Sequence, residues 1–175
     1  MRSPSQQLTE DHEALDKLLA QLQTALNKGE VAASHSSLDL FWARLAVHIR
    51  AEHLHLFPDV MFRVGENAGK DGSPSVREAQ LTVEQLRADH DFFMHELAAA
   101  IAVLRDPRAD DDIQSVSRSV ANVQKRLITH NEIEEGRIYQ WVSNLFDERE
   151  QMELAARINR ELRNHPPRFS ETLRW

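Results

Sequence analysis

His48-Ile49-Arg50-Ala51-Glu52-His53-Leu54-His55-Leu56-Phe57-Pro58 is matched further along the chain by His130-Asn131-Glu132-Ile133-Glu134-Glu135-Gly136-Arg137-Ile138-Tyr139-Gln140. In each segment a histidine is followed four residues later by a glutamate, and then by an aliphatic-aromatic pair, Leu56-Phe57 or Ile138-Tyr139. Asp11-His12 stands ahead of the first segment and Asp89-His90 ahead of the second, so a lone histidine followed by HxxxE occurs twice. A helix turns about 100° per residue, which leaves positions four apart only about 40° from each other on one face. One imidazole and one carboxylate from each segment can therefore reach one centre. The pattern predicts a duplicated, metal-binding helical hairpin.

The rest of the composition agrees with helices. At 175 residues the chain is long enough for one domain with a full core. Glycine and proline are scarce, and the stretches between them are rich in the good helix formers Ala, Leu, Gln, Glu and Arg. A formal charge of −7 and a pI near 5.7, without a Lys/Arg cluster, argue against nucleic acid as a partner. The absence of cysteine excludes disulfides, thiolate metal sites and a cysteine nucleophile. Any metal must be held by nitrogen and oxygen. Neither a signal-peptide apolar segment nor an apolar run near the roughly 20 residues of a membrane span is visible, so the expectation is a soluble cytoplasmic protein with no membrane partner.

Four long amphipathic patterns follow one another. The first starts where Ser3 can cap and Pro4 can sit in the first turn, and it runs to Gly29 with Leu8, Leu15, Leu19, Leu22 and Leu26 as its stripe. The second covers roughly 36–64, with a kink or an end expected at Pro58. The loop from Gly65 to Ser75 divides the repeats. The third pattern begins near Ser75, whose spacing to Glu78 fits a capping box, and carries Val83, Leu86, Phe93, Leu97, Ile101 and Leu104. The fourth shows Ile113, Val116, Val120, Val123, Leu127 and Trp141. Short connections favour antiparallel neighbours, so the fold class is all-α, an up-and-down antiparallel four-helix bundle over residues 1–146. Residues 147–175 are expected to add a C-terminal helix, with Met152, Ala155, Ile158 and Leu162 as its apolar face. An extended tail follows, whose Phe169, Leu173 and Trp175 could pack on the bundle or on a partner, including a second copy of the chain.

His12, His48, Glu52, His90, His130 and Glu134 fall on the apolar stripes of the four main helices. Burying such groups costs several kcal/mol each unless they are paired or bound to metal. If each of two ions takes two imidazoles while Glu52 and Glu134 bridge them, a bridging oxo or hydroxo group completes the charge balance. Mixed imidazole and carboxylate ligation suits iron or manganese better than calcium or magnesium, and zinc stays chemically open. This donor count leaves about one free position per octahedral ion, room for dioxygen, peroxide or nitric oxide.

The lone histidine followed by HxxxE, with Leu/Ile-Phe/Tyr downstream and both halves present, resembles the hemerythrin-like, HHE cation-binding family over roughly residues 8–142. The resemblance implies a carboxylate-bridged, non-haem di-iron centre held by His12, His48, Glu52, His90, His130 and Glu134. It also implies roles ranging over oxygen carriage, oxygen or redox sensing, iron handling, and defence against peroxide or nitric oxide. Oxygen-carrying hemerythrins have a further histidine one turn after the third-helix histidine, where this chain has Met94. They also end on an aspartate five residues after a histidine, where this chain has Glu134 four residues after His130. Both departures point away from simple oxygen carriage. The reading from the sequence is a protein that binds or reduces a small oxidant, with a non-catalytic oxygen, redox or iron sensor, or an iron-binding module, acting through a protein partner as the alternative.

Several other residues carry weaker expectations. Asp11 and Asp89 could accept hydrogen bonds from behind the ligands, but they read first as a solvated helix face, since each points about 100° away from its neighbouring histidine. His55 lies near the ligand face and is a candidate auxiliary ligand, whereas His53, His35 and His165 read as surface residues. Phe41, Phe93, Met94 and Trp141 read as core.

Overall fold

A computed structural model of the chain describes residues 2–107 and 110–166. All the regular structure among them is helical. The elements are α1 (Pro4–Asn27), α2 (Val31–Ala51), α3 (Phe57–Glu66), α4 (Val76–Arg105), α5 (Asp110–Ile133), α6 (Tyr139–Leu145) and α7 (Glu148–Leu162). Single wide turns, Glu52–Leu56 and Glu134–Ile138, join α2 to α3 and α5 to α6, so four long rods result. Each rod packs on its two neighbours in the order α1, α2–α3, α4, α5–α6 and back to α1. This is the antiparallel bundle expected from the sequence, with α7 as the additional helix.

Local chemistry sets the ends. Ser3 and Gln6 form a reciprocal capping box at the start of α1, with Pro4 in the first turn. Gly29, at φ +69°, takes the left-handed conformation that turns the chain from α1 into α2. The Ser75 side chain accepts a hydrogen bond from the Glu78 backbone N–H at 3.1 Å to start α4. Asp147 and Glu150 form a second capping box at the start of α7.

Of the kink or end expected at Pro58, the end does not occur. In the turn before it, the Phe57 N–H bonds to the Glu52 carbonyl, five residues back rather than four. Pro58 then occupies the first turn of α3, where its N–H is not required. The proline does not cause the widening. The Tyr139 N–H bonds to the Glu134 carbonyl in the same way, and Gln140 follows in place of proline. Both wide turns open at the glutamate of an HxxxE pair.

Two apolar clusters fill the bundle. One, including Leu15, Leu22, Phe41, Phe93, Leu97 and Val123, occupies the end near the α1–α2 connection. The other, including Leu8, Phe57, Val60, Ile138, Trp141 and Val142, occupies the opposite end and receives Leu154, Ile158 and Leu162 of α7. Met152, expected on the apolar face of α7, is exposed, and Leu154 takes that role. α7 is also clamped from outside by the ion pairs Arg157–Asp59, Arg63–Glu150 and Arg50–Glu161. Phe169, Leu173 and Trp175 lie outside the described residues. No described helix is long and apolar enough to cross a membrane.

Candidate metal centre

Between the two apolar clusters lies a polar layer. His12, His48, His90 and His130 are 2–4% exposed, and Glu52 and Glu134 are fully buried. The six side chains that the sequence singled out converge. Their ligating atoms form two overlapping groups, His12, His48, Glu52 and Glu134 in one and Glu52, His90, His130 and Glu134 in the other, with all atoms of a group within 4.8 Å of one another.

The two glutamates link the groups oxygen by oxygen. Glu52 Oε1 lies 3.2 Å from His48 Nε2 in the first group, and its Oε2 lies 3.2 Å from His90 Nε2 in the second. Glu134 mirrors this, with Oε2 at 3.2 Å from His12 Nε2 and Oε1 at 3.3 Å from His130 Nε2. Despite these approaches, all four carboxylate oxygens lack a hydrogen-bond partner. Buried orphan acceptors of this kind are costly, and a cation is the natural counterpart.

The histidines are aimed the same way. Their Nε2 atoms face inward in pairs, His12 to His48 at 3.2 Å and His90 to His130 at 3.0 Å. Their Nδ1 atoms face outward to fixed partners. His48 Nδ1 donates to Asp11 Oδ2 at 2.8 Å and His130 Nδ1 to Asp89 Oδ2 at 3.3 Å. His12 Nδ1 donates to Glu135 Oε1 at 3.1 Å, and His90 Nδ1 meets His53 Nε2 at 2.9 Å. With hydrogen on Nδ1, each Nε2 turns a lone pair on its neighbour. Such pairs repel unless a proton or a metal ion lies between them.

Electrostatics supports a cation in this layer. Burial pushes the Glu52 carboxyl up, but His48 and His90 outweigh it and hold the group well below the usual carboxylate range. Glu134 is pushed up by burial and by Glu52, and His130 and His12 bring it below its ordinary value. Burial pushes the His48 and His130 imidazoles down, yet the same two glutamates raise both above their ordinary value.

Three expectations need correcting. Asp11 and Asp89 are buried acceptors behind the histidines rather than a solvated face, because each faces a histidine on the adjacent helix instead of its own sequence neighbour. His53, read as a surface residue, sits half-buried against His90, with burial and then His90 holding its pKa below the ordinary value. His55, the auxiliary candidate, belongs to neither group. It faces Arg157 and Glu161 of α7, since the wide turn after Glu52 alters the register that regular helical spacing assumes. His95 is exposed, leaving four histidines in the layer.

Sequence reasoning missed the arginines behind the aspartates. Arg44 pairs with Asp11, and Arg126 Nε donates to Asp89 Oδ1 at 2.6 Å. Burial pushes the Arg44 guanidinium down to about 10, still charged at neutral pH. A signal was present. Each arginine stands four residues before its HxxxE histidine, so the full repeat is Arg44-His48-Glu52 and Arg126-His130-Glu134.

The aromatic residue five after each glutamate also lies against the layer. Phe57 stacks on His90 with ring centroids 6.0 Å apart, and Tyr139 on His12 at 6.2 Å. The Tyr139 hydroxyl is 3.5 Å from His12 Nε2, and burial, then Glu134 and Glu52, keep it protonated by raising its pKa well above the usual phenol value.

A helical bundle with a buried layer of histidines and glutamates, held from behind by further carboxylates, fits a metal-binding site of nitrogen and oxygen donors. Residues 3–142 match the family described as Hemerythrin HHE cation binding domain, and the chain belongs to that family. No curated protein and no solved structure matches it.

Proposed function

We propose that this chain is a non-haem di-iron protein that binds or reduces a small oxidant, dioxygen, peroxide or nitric oxide, at a carboxylate-bridged centre. The single observation behind the reading is the pair of glutamates. Each buried carboxylate directs one oxygen to each group of histidines, and no hydrogen bond satisfies any of these oxygens. His12 and His48 would hold one ion, His90 and His130 the other, and Glu52 and Glu134 would bridge them. Iron, oxo- or hydroxo-bridged, fits this donor set, with manganese or zinc as the competing occupants. Two imidazoles, two carboxylate oxygens and the oxo or hydroxo bridge would leave each ion about one position for a small exchangeable ligand, and iron would supply redox chemistry toward it.

The chain's own residues set the conditions at that position. Asp11, Asp89, Glu135 and His53 fix the outward nitrogens and so the direction of each imidazole lone pair. Phe57 and Phe93 give the His90–His130 side a dry wall. Tyr139 keeps a proton on its oxygen at the other side and can offer it as a hydrogen bond.

Anaerobic iron loading tests the reading. About two irons per chain, with visible absorption that changes on adding dioxygen, peroxide or nitric oxide, is the expected result. Less than about one iron per chain, or spectra indifferent to all three, counts against it.

One observation favours the sensor alternative. His165 Nε2 lies 3.4 Å from Arg44 Nη1, Arg44 pairs with Asp11, and Asp11 holds His48. In this reading residues 1–146 are the metal-binding unit and residues 147–175 carry its state to a partner. Limited proteolysis beyond Leu162, compared in oxidised and reduced protein, should then differ; identical cleavage removes the motive for the sensor.

A further inference from the structure

The two halves of the polar layer correspond position for position, but their outward partners differ in charge. Glu135 and His53 each directly follow a bridging glutamate, and each meets the Nδ1 of the lone histidine in its group. On the first side the partner is a carboxylate, 3.1 Å from His12 Nδ1. On the second it is an imidazole, 2.9 Å from His90 Nδ1. The aspartates do not repeat this difference, because each side has one carboxylate paired with one arginine: Asp11 lies 2.8 Å from His48 Nδ1 and pairs with Arg44, and Asp89 lies 3.3 Å from His130 Nδ1 and pairs with Arg126.

An imidazole whose N–H is held by an anion is a stronger electron donor at its other nitrogen, and such outer partners typically change metal affinity by about 10–100-fold. An imidazole partner carries no negative charge in either of its protonation states. We infer that Glu135 and His53 act as positioning residues that make the two metal positions unequal. The position between His12 and His48 fills first, binds more tightly and favours the more highly charged ion; the one between His90 and His130 is weaker and more readily reduced. The inference rests on the two-metal reading above.

Cobalt(II) titrated anaerobically into the metal-free full chain, followed by its visible absorption, tests it. Wild type should take up two equivalents in two steps, the first at least about tenfold tighter. Glu135→Gln should close that gap by about tenfold, and His53→Gln should leave the tight step in place. His53→Glu should strengthen the weak step. In protein loaded with iron-57 and oxidised, Mössbauer spectra should show two quadrupole doublets of equal area that draw together in His53→Glu. Glu135 is about half exposed, so its exchange leaves the packing intact, and helical circular dichroism verifies that. Equal affinities in wild type, or a Glu135→Gln variant that weakens both steps alike or neither, overturns the inference. Failure of wild type to bind two equivalents instead overturns the two-metal reading beneath it.

Discussion

Glu52→Gln is the most informative single change, because Glu52 alone reaches both histidine groups from the first repeat. Its Oε1 and Oε2 lie 3.2 Å from His48 and His90, and the side chain is wholly buried. The amide keeps the shape and removes the charge and one oxygen donor. A ligand that binds only the folded state stabilises it by about 2.7 kcal/mol at a hundredfold excess over its dissociation constant. Two positions filled at that excess contribute about 5 kcal/mol. For a chain of this size each kcal/mol moves the melting temperature by about 2–4 °C, so wild type should melt about 10–20 °C higher with metal than without. A hundredfold loss of affinity at both positions would leave only about 0.4 kcal/mol each, or a shift of about 2 °C. The assay is anaerobic thermal unfolding by circular dichroism, with and without iron(II), on both proteins. Reading the difference between loaded and metal-free protein cancels whatever the substitution does to the bundle itself. A Glu52→Gln variant that retains most of the wild-type difference would refute the bridging role.

Other outcomes follow from the same geometry. His48 and His130 have raised folded-state pKa values, so in metal-free protein they contribute stability that is full below about pH 6.5 and is lost as the pH rises through the raised values. Glu52 and Glu134 have depressed values, so their contribution is present above about pH 4.3 and is lost as the pH falls through those values. Metal-free protein should therefore be most stable between these limits and less stable at pH 8, whereas metal affinity should rise from about pH 6.5 toward 8 as protons leave the imidazoles; urea titrations and metal-binding curves across pH check both signs. Asp11→Asn should weaken metal binding about 10–100-fold while leaving the helix content unchanged, measured by competition with a chelator. Phe93→Ala, which empties a fully buried position between the apolar core and His130, should cost about 3–5 kcal/mol in chemical denaturation.

The bundle was legible because its signals are local and repeated. The leucine stripe of α1, the Ser3 and Ser75 caps and the doubled HxxxE all act within one helix, where spacing alone gives the face. The six residues of the polar layer could be chosen because ionisable groups on apolar stripes need an explanation. What escaped was what depends on a neighbouring helix or on an irregular turn. Asp11 looked solvated relative to His12, and only the packing of α1 against α2 brings it to His48. Regular spacing across residues 52–56 places His55 closer to the centre than His53, but the rod widens there by one residue. The repeated wide turn at Glu134, without a proline, shows that the register belongs to the site rather than to Pro58. Arg44 and Arg126 are visible in the sequence as part of a longer repeat, but their role, neutralising Asp11 and Asp89, depends on the burial of those aspartates between helices.

The most direct test of the central claim is a crystal structure of the iron-loaded chain with anomalous scattering recorded at the iron edge. Two adjacent iron peaks, each between one pair of histidines and both touching Glu52 and Glu134, are the predicted result. A single peak, or peaks elsewhere on the chain, with the two carboxylates hydrogen-bonded only to protein or water, would contradict it.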